Sequence, residues 1–216
     1  MFKLYLSVII SFLIFSLTAR ADESEKKESQ KINLDIYGYT GYRLMTLKDK
    51  DVFGRSPNLS GGNLTVGALY TFQTKTKIKP VAGLALEGAY VTGDYYNDGR
   101  VDVKYSYSTI TANGGIKYNI NDSFSVIGLA GIGTSFRDEY EYKRDLIIGD
   151  IKTKTSVSNH YIYGVNLMGL YRFGNLFSMG ANATFNVHTM EQKYEALSAD
   201  LTYYERSLNL LFMWSI

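Results

Sequence analysis

The chain has 216 residues, 23 basic against 21 acidic groups, two prolines, twenty glycines, no cysteine and thirty-one aromatics, of which nineteen are tyrosine. The absence of cysteine excludes a disulfide framework and a lipid-modified cysteine, and the near-neutral charge with no polybasic run gives no reason to invoke nucleic acid or anionic lipid as a partner. The tyrosine and glycine content with almost no proline points to an all-β chain.

The opening residues carry Lys3, an apolar run from Leu4 to Leu17 and the small-x-small site Ala19-Arg20-Ala21. This predicts a cleaved signal peptide over residues 1–21, too short in its apolar part for a spanning helix. Its removal takes Lys3 and Arg20 away, which brings the 23 basic groups level with the 21 acidic ones. Residues 22–31 form a charged, flexible leader. Residues 32–216 suit one domain. No later stretch is long and apolar enough for a spanning helix, so a mature chain that crosses a bilayer must do so as a closed barrel.

Eight runs of period two follow. The first, Ile32 to Leu47, sets Ile32, Leu34, Ile36, Tyr42 and Leu44 against Asp35, Tyr37, Tyr39 and Arg43. The second, Asn63 to Lys75, opposes Leu64, Val66, Tyr70 and Phe72 to Asn63, Thr65 and Thr71. The third, Val81 to Thr92, opposes Leu84, Leu86 and Tyr90 to Gly83, Glu87 and Ala89. The fourth, Val103 to Ile120, opposes Ile110, Ile116 and Tyr118 to Thr109, Asn113 and Lys117. In the fifth, Ser123 to Phe136, the facing stays open, because Ile127 and Leu129 lie opposite Phe124, Val126 and Ile132. The sixth, Asn159 to Phe173, sets Tyr161, Tyr163, Val165 and Tyr171 against His160, Asn166 and Arg172. The seventh, Leu176 to Met190, alternates from Phe177 to Val187 against Ser178 to His188. The eighth, Leu201 to Ile216, carries Leu208, Leu210, Phe212, Trp214 and Ile216 on one face and Glu205, Ser207 and Asn209 on the other.

The links alternate in length. Those after runs two, four and six are brief. Those after one, three, five and seven are read as long loops, over 48–62, 93–102, 137–158 and 191–200. Short turns on one side and extended loops on the other are the pattern of an eight-stranded antiparallel up-and-down transmembrane barrel. A soluble barrel has the same period turned inside out, and the aromatics decide between the two. On the apolar faces, Phe72, Tyr118, Phe124, Tyr171, Phe177 and Trp214 lie at the short-turn ends, and Tyr42, Tyr90, Phe136, Tyr161 and Tyr204 at the long-loop ends. Two such girdles mark the two surfaces of a bilayer.

With Gly114-Gly115-Ile116-Lys117-Tyr118-Asn119-Ile120-Asn121-Asp122 and Gly128-Leu129-Ala130-Gly131-Ile132-Gly133, residues 32–216 resemble the small eight-stranded outer-membrane barrels that include the OmpX/Ail proteins, the OmpA N-terminal domain and the opacity-type proteins. The resemblance is one of architecture and composition. It implies export to the bacterial cell outer membrane, insertion by the assembly machinery through the C-terminal strand, and a monomer. That group commonly ends on an aromatic residue, whereas Ile216 is last here.

An eight-stranded bore is just wide enough for side chains to fill it. Asp35, Arg43, Glu87, Lys117, Arg172 and Glu205 all project inward on this reading, three acids and three bases, and Arg43 should pair with Glu205 because the first and last strands must meet. The expected outcome is a self-neutralised polar plug, not a pore. His188 with Ser178 and Glu191 could be drawn as a catalytic set, but Ser178 is ten residues along the same strand, about 33 Å away. Both histidines are expected near the outer rim, and no enzyme is expected. Asp94, Asp98 and Asp102 could gather round calcium, yet Tyr96 occupies a ligand position of the loop they would form, so no metal and no cofactor is assigned. What remains is surface interaction, adhesion or envelope integrity through the long loops, whose Tyr95, Tyr96, Tyr140, Tyr142 and Tyr194 suit contact with a surface ligand or host component. A small selective channel is the first alternative and a lipid-active enzyme the second.

Overall fold

The computed structural model describes residues 33–96, 100–146, 149–174 and 176–216. The signal peptide and leader expected over 1–31, and the Asn97-Asp98-Gly99 turn, lie outside them. Eight strands, β1 (Leu34–Leu47), β2 (Asn58–Thr71), β3 (Ile78–Tyr96), β4 (Arg100–Asn119), β5 (Phe124–Leu146), β6 (Gly149–Phe173), β7 (Phe177–Tyr194) and β8 (Leu197–Ser215), close into a single antiparallel barrel in sequence order. β1 completes the ring against β8, with Asp35 opposite Ser215 and Leu47 opposite Tyr203.

The facing follows the alternation. Leu64, Leu84, Ile132, Val165, Leu167 and Leu208 point outward, each more than half exposed. They cannot face water in a stable fold at that density, and a contiguous apolar girth is what acyl chains cover. Tyr42, Tyr90, Phe136 and Tyr161 ring its upper edge and Phe72, Tyr118, Phe124, Tyr171 and Trp214 its lower, all exposed. Phe177 stands beside Trp214 in the lower ring, their centroids 5.1 Å apart. Strand five settles with Ile127 and Leu129 buried inside and Phe124, Ile132 and Phe136 outside.

The strands overshoot the membrane. A tilted spanning strand needs ~9–11 residues, and Phe124 and Phe136 bracket about that much of β5, but β5 has 23 residues and β6 has 25. Three of the four links read as long loops are therefore ladder. β3 and β4 stay paired out to Tyr96 opposite Arg100, β5 and β6 to Leu146 opposite Gly149, and β7 and β8 to Tyr194 opposite Leu197. Only the β1–β2 link is an irregular loop. The correction has a physical cause: in this projecting half the alternation continues with the opposite sense. On β4, Val101, Val103, Tyr105 and Tyr107 are buried inside while Lys104 is exposed, whereas from Ile110 onward the apolar side chains are outside. Water replaces lipid as the outer medium above the upper ring, so the greasy face turns inward.

The projecting half accordingly has a core like that of a soluble barrel, built of Met45, Leu47, Leu59, Val91, Val101, Val103, Met190 and Leu201 with Tyr105, Tyr107, Tyr140, Tyr142 and Tyr203. A second core of Tyr37, Tyr39, Leu69, Val81, Ile127, Met168, Leu170, Leu211 and Met213 fills the lower bore.

The wall is interrupted once near the change of facing. β5 and β6 pair up to Thr134 opposite Tyr161 and resume only at Tyr140 opposite Thr155. The flanking ladders shift register at the same height, β4–β5 at Ser108/Thr109 and β6–β7 between Ser158 and Tyr161. Asn159 has a φ of 52°, in the left-handed region that non-glycine residues seldom adopt. Bulges of this kind re-aim side chains and break pairing. Here they leave a cleft of about 330 Å³ in the outer wall, with Phe136, Asp138, Ser158, His160 and Tyr161 in its lining.

Candidate functional site: the buried network of the bore

Between the two cores lies a layer of ionised and polar side chains. Strand β1 carries Arg43 inward, fully buried. Its guanidinium grips Glu87 of β3 with both terminal nitrogens, at 2.9 and 2.8 Å. The same Nη1 donates to Glu205 of β8 at 2.9 Å, and the Tyr107 hydroxyl is also against it. Bidentate charge-assisted geometry is the form in which a buried ion pair can recover its desolvation cost. Glu205 further accepts from Tyr107 at 2.8 Å and from Asn186 at 3.1 Å, and Glu87 accepts from Thr65 at 2.9 Å.

The histidines complete the layer. His188 Nε2 lies 2.8 Å from Glu205, His188 Nδ1 lies 2.9 Å from His160 Nε2, and His160 Nδ1 lies 2.9 Å from Asp138. Tyr105 donates to the same Asp138 oxygen at 2.6 Å. Both rings are buried within the bore, not at its outer rim as expected. The bulge at Asn159 is what turns His160 inward beside Ile162. The acid facing His188 is Glu205, not Glu191, and Ser178 sits at the other end of β7, opposite Met213 of β8. Glu191 accepts instead from Ser158 and Asn159 on the surface.

The sequence-derived charges divide into groups. Arg43, Glu87 and Glu205 meet as described. Asp35 and Lys117 pair at 2.8 Å near the short-turn end, where Ser215 also donates to Asp35 at 2.5 Å. Arg172 joins neither group. It is exposed at the lower mouth, because its position falls past the last inward contact of β6. Between the groups, Asn209 donates to Asn182 at 2.8 Å and Asn182 reaches Asn166, beside a cavity of about 40 Å³ whose lining includes Tyr39, Thr65, Glu87, Thr109 and Asn186. At ~10–15 Å³ per water it accommodates a few molecules.

Above the network, the β1–β2 loop folds over the bore. Asp51 caps its own turn, accepting from the backbone of Phe53 and Arg55 at 2.9 and 2.8 Å. It also accepts from Tyr142 at 2.7 Å. Gln192 donates to Tyr142 and to Thr155, Tyr140 bonds Tyr203 at 2.7 Å, and Phe53 packs edge-on against Tyr142. Burial pushes the Tyr140, Tyr142 and Tyr203 phenols up from their ordinary value, so they stay protonated as donors.

His160, Tyr105, Tyr107 and Asp138 were not singled out by sequence reasoning as members of one network. The available signal was the inward-phase run Val101, Val103, Tyr105, Tyr107, which extends β4 beyond the membrane. Among the described residues no group of three or more His, Asp or Glu is arranged to hold a metal. Asp94 and Asp102 instead flank Arg100, at 3.6 and 3.0 Å.

The architecture is similar to solved outer-membrane barrels. The outer membrane protease OmpT of Escherichia coli superposes with a TM-score of 0.53 at 8% identity, over 90% of this chain and 99% of that one. The attachment invasion locus protein Ail of Yersinia pestis gives 0.45 at 19% identity over 84% and 99%. Neisserial surface protein A gives 0.49 at 12% over 84% and 97%. At these identities the likeness is one of fold. No curated protein matches the chain. An outward apolar girth between two aromatic rings and a closed eight-stranded wall make this a bacterial outer-membrane barrel, and with a family model matching residues 10–214 the chain belongs to the family described as "Putative MetA-pathway of phenol degradation".

Proposed function

We propose that this protein is a monomeric barrel whose bore is closed at neutral pH and which acts through its projecting half, at the cell surface or in the integrity of the envelope. The observation that carries the reading is the filling of the bore: among the described residues the Tyr/Met core, the Arg43 layer, the asparagine layer and the lower core follow one another, with a small central cavity between them. An eight-stranded wall leaves no room for an aqueous path past side chains packed in this way. The projecting half, rigid because it is laddered and cored, presents its outer wall, β1–β2 loop and hairpin ends as the contact surface for a surface ligand or host component. The assembly machinery is the partner expected for the C-terminal strand. Planar bilayers at pH 7.5 test this reading: no unitary conductance is expected, and stable channels would overturn it.

A second reading rests on the interrupted β5–β6 ladder. The family description names phenol degradation, and a cleft in the wall rimmed by Phe136 and Tyr161 offers small aromatic solutes a lateral route that bypasses the filled bore. Phenol entry into proteoliposomes, compared with protein-free vesicles, separates the readings. Equal rates would remove this one.

A further inference from the structure

We infer that His160 and His188 form an acid-operated latch between the β5–β6 cleft and the internal cavity, an inference that rests on the closed-bore reading. The chain of hydrogen bonds runs from one space toward another. His160 and Asp138 line the cleft in the outer wall. Asn186, the donor to Glu205, lines the cavity, as do Glu87 and Ile162. Ile162 follows His160 on the inward face of β6, so the His160 ring stands between the two spaces.

Counting protons gives the latch its action. Three hydrogen bonds run in line from Asp138 through the two imidazoles to Glu205, at 2.9, 2.9 and 2.8 Å, and the Tyr105 hydroxyl, which donates to Asp138, also lies 3.2 Å from His160 Nδ1. Ionised carboxylates only accept, so the bonds to Asp138 and to Glu205 each require a ring N–H. The central bond requires one more N–H facing one bare nitrogen. The pair is fully bonded with three ring protons, one imidazole and one imidazolium. A fourth proton sets N–H against N–H across the central contact, and that bond is lost.

The fourth proton enters a layer that is already charged. The groups facing the pair are Arg43 from β1, Glu87 from β3, Tyr105 and Tyr107 from β4, Asp138 from β5 and Glu205 from β8. With three ring protons, Arg43 and the pair supply two positive charges against three carboxylates. A further proton brings the layer to three charges of each sign. On this count the central bond is kept with three ring protons and lost with the fourth, which acid supplies. The freed ring has somewhere to go. His160 belongs to the segment that lacks a β5 ladder partner and follows the strained Asn159. Its movement toward the cleft joins cleft to cavity.

The chain contains only two histidines, so ¹⁵N-histidine labelling of the untagged, processed protein in detergent micelles reads the pair directly. At pH 7.5 three ring nitrogens should carry protons and an N–H···N coupling should link the rings. At pH 4.5 all four should be protonated and the coupling absent, with heat-modifiable gel migration still reporting a folded barrel. Amide hydrogen exchange at Ile162, which lines the cavity, should rise at least tenfold from pH 7.5 to pH 4.5 after correction for the intrinsic exchange rate. His160→Gln and His188→Gln, in preparations that retain heat-modifiability, should show no such pH ratio. A coupling that persists at pH 4.5, or an acid response equal in wild type and variants, overturns the latch. Conductance already present at pH 7.5 instead overturns the closed bore.

Discussion

Arg43 is the residue on which the middle of the bore depends. Three partners converge on its guanidinium, and removing it leaves Glu87 without a counter-charge and Glu205 with only the histidine pair beside it. Arg43→Met should therefore lower stability by about 3–5 kcal/mol, read as a shift in the guanidinium unfolding curve of detergent-solubilised protein, with Glu205→Gln partly restoring it. A loss below about 1 kcal/mol would mean that the layer contributes little. Size is as constrained as charge. A Cβ at Gly67 would lie 2.4 Å from the Tyr37 ring, and Tyr37 is buried in the lower core. Gly67→Ala should cost about 1–3 kcal/mol by overpacking. Gly88→Ala, where a Cβ meets nothing within 4 Å, should stay within about 0.5 kcal/mol. The same unfolding experiment compares them, and equal effects would contradict the packing of the bore.

At the scale of the strand, β4 shows what the sequence does and does not reveal. Alternation fixed which residues of 109–120 look outward, and it did so because one face must meet lipid. It failed above the upper ring, where Val101, Val103, Tyr105 and Tyr107 continue the period in the opposite sense. The run read from Val103 to Ile120 already contained Tyr105 and Tyr107, but with apolar equated with outward their inward facing went unassigned. The outer solvent changes from hydrocarbon to water along one element, and only the aromatic ring marks the place. The same cause explains why His160 and His188 were expected at a rim: the wall continues well past them. Strand five resisted for a different reason, since Ile127 and Leu129 fill the lower core and leave both of its faces aliphatic. Leu210, on the outer face of β8 and 48% exposed, should cost about 2–4 kcal/mol as Leu210→Lys in the lipid band. Lys104→Leu, on the water-washed face, should fall within about 0.5 kcal/mol. Asn182→Lys is a further case. Asn182 is fully buried between Asn166 and Asn209, so a lysine there should be as harmful as one in lipid, and a tolerated Asn182→Lys would show the asparagine layer to be loose.

For the molecule as a whole, strand number, antiparallel order, closure and the two girdles were legible because each follows from period two and from where tyrosine and tryptophan settle. The pairs Arg43 with Glu205 and Lys117 with Asp35 show the limit of that reading. The first was anticipated because β1 and β8 must be neighbours, while the second, which spans the bore, depends on the barrel's stagger, and a one-dimensional pattern does not carry stagger. Arg172 was placed with the inward charges by parity alone, and parity does not say where the bore ends. The account's central claim is that the apolar face is outside within the membrane and inside above it. Since the chain has no native cysteine, single substitutions Lys104→Cys, Ile110→Cys and Ala112→Cys, all on the outer face of β4, can be challenged on intact cells with a membrane-impermeant maleimide. Lys104→Cys should be labelled within minutes while Ile110→Cys and Ala112→Cys remain unlabelled until the barrel is unfolded. Labelling of all three at one rate would contradict the change of facing and the membrane placement together.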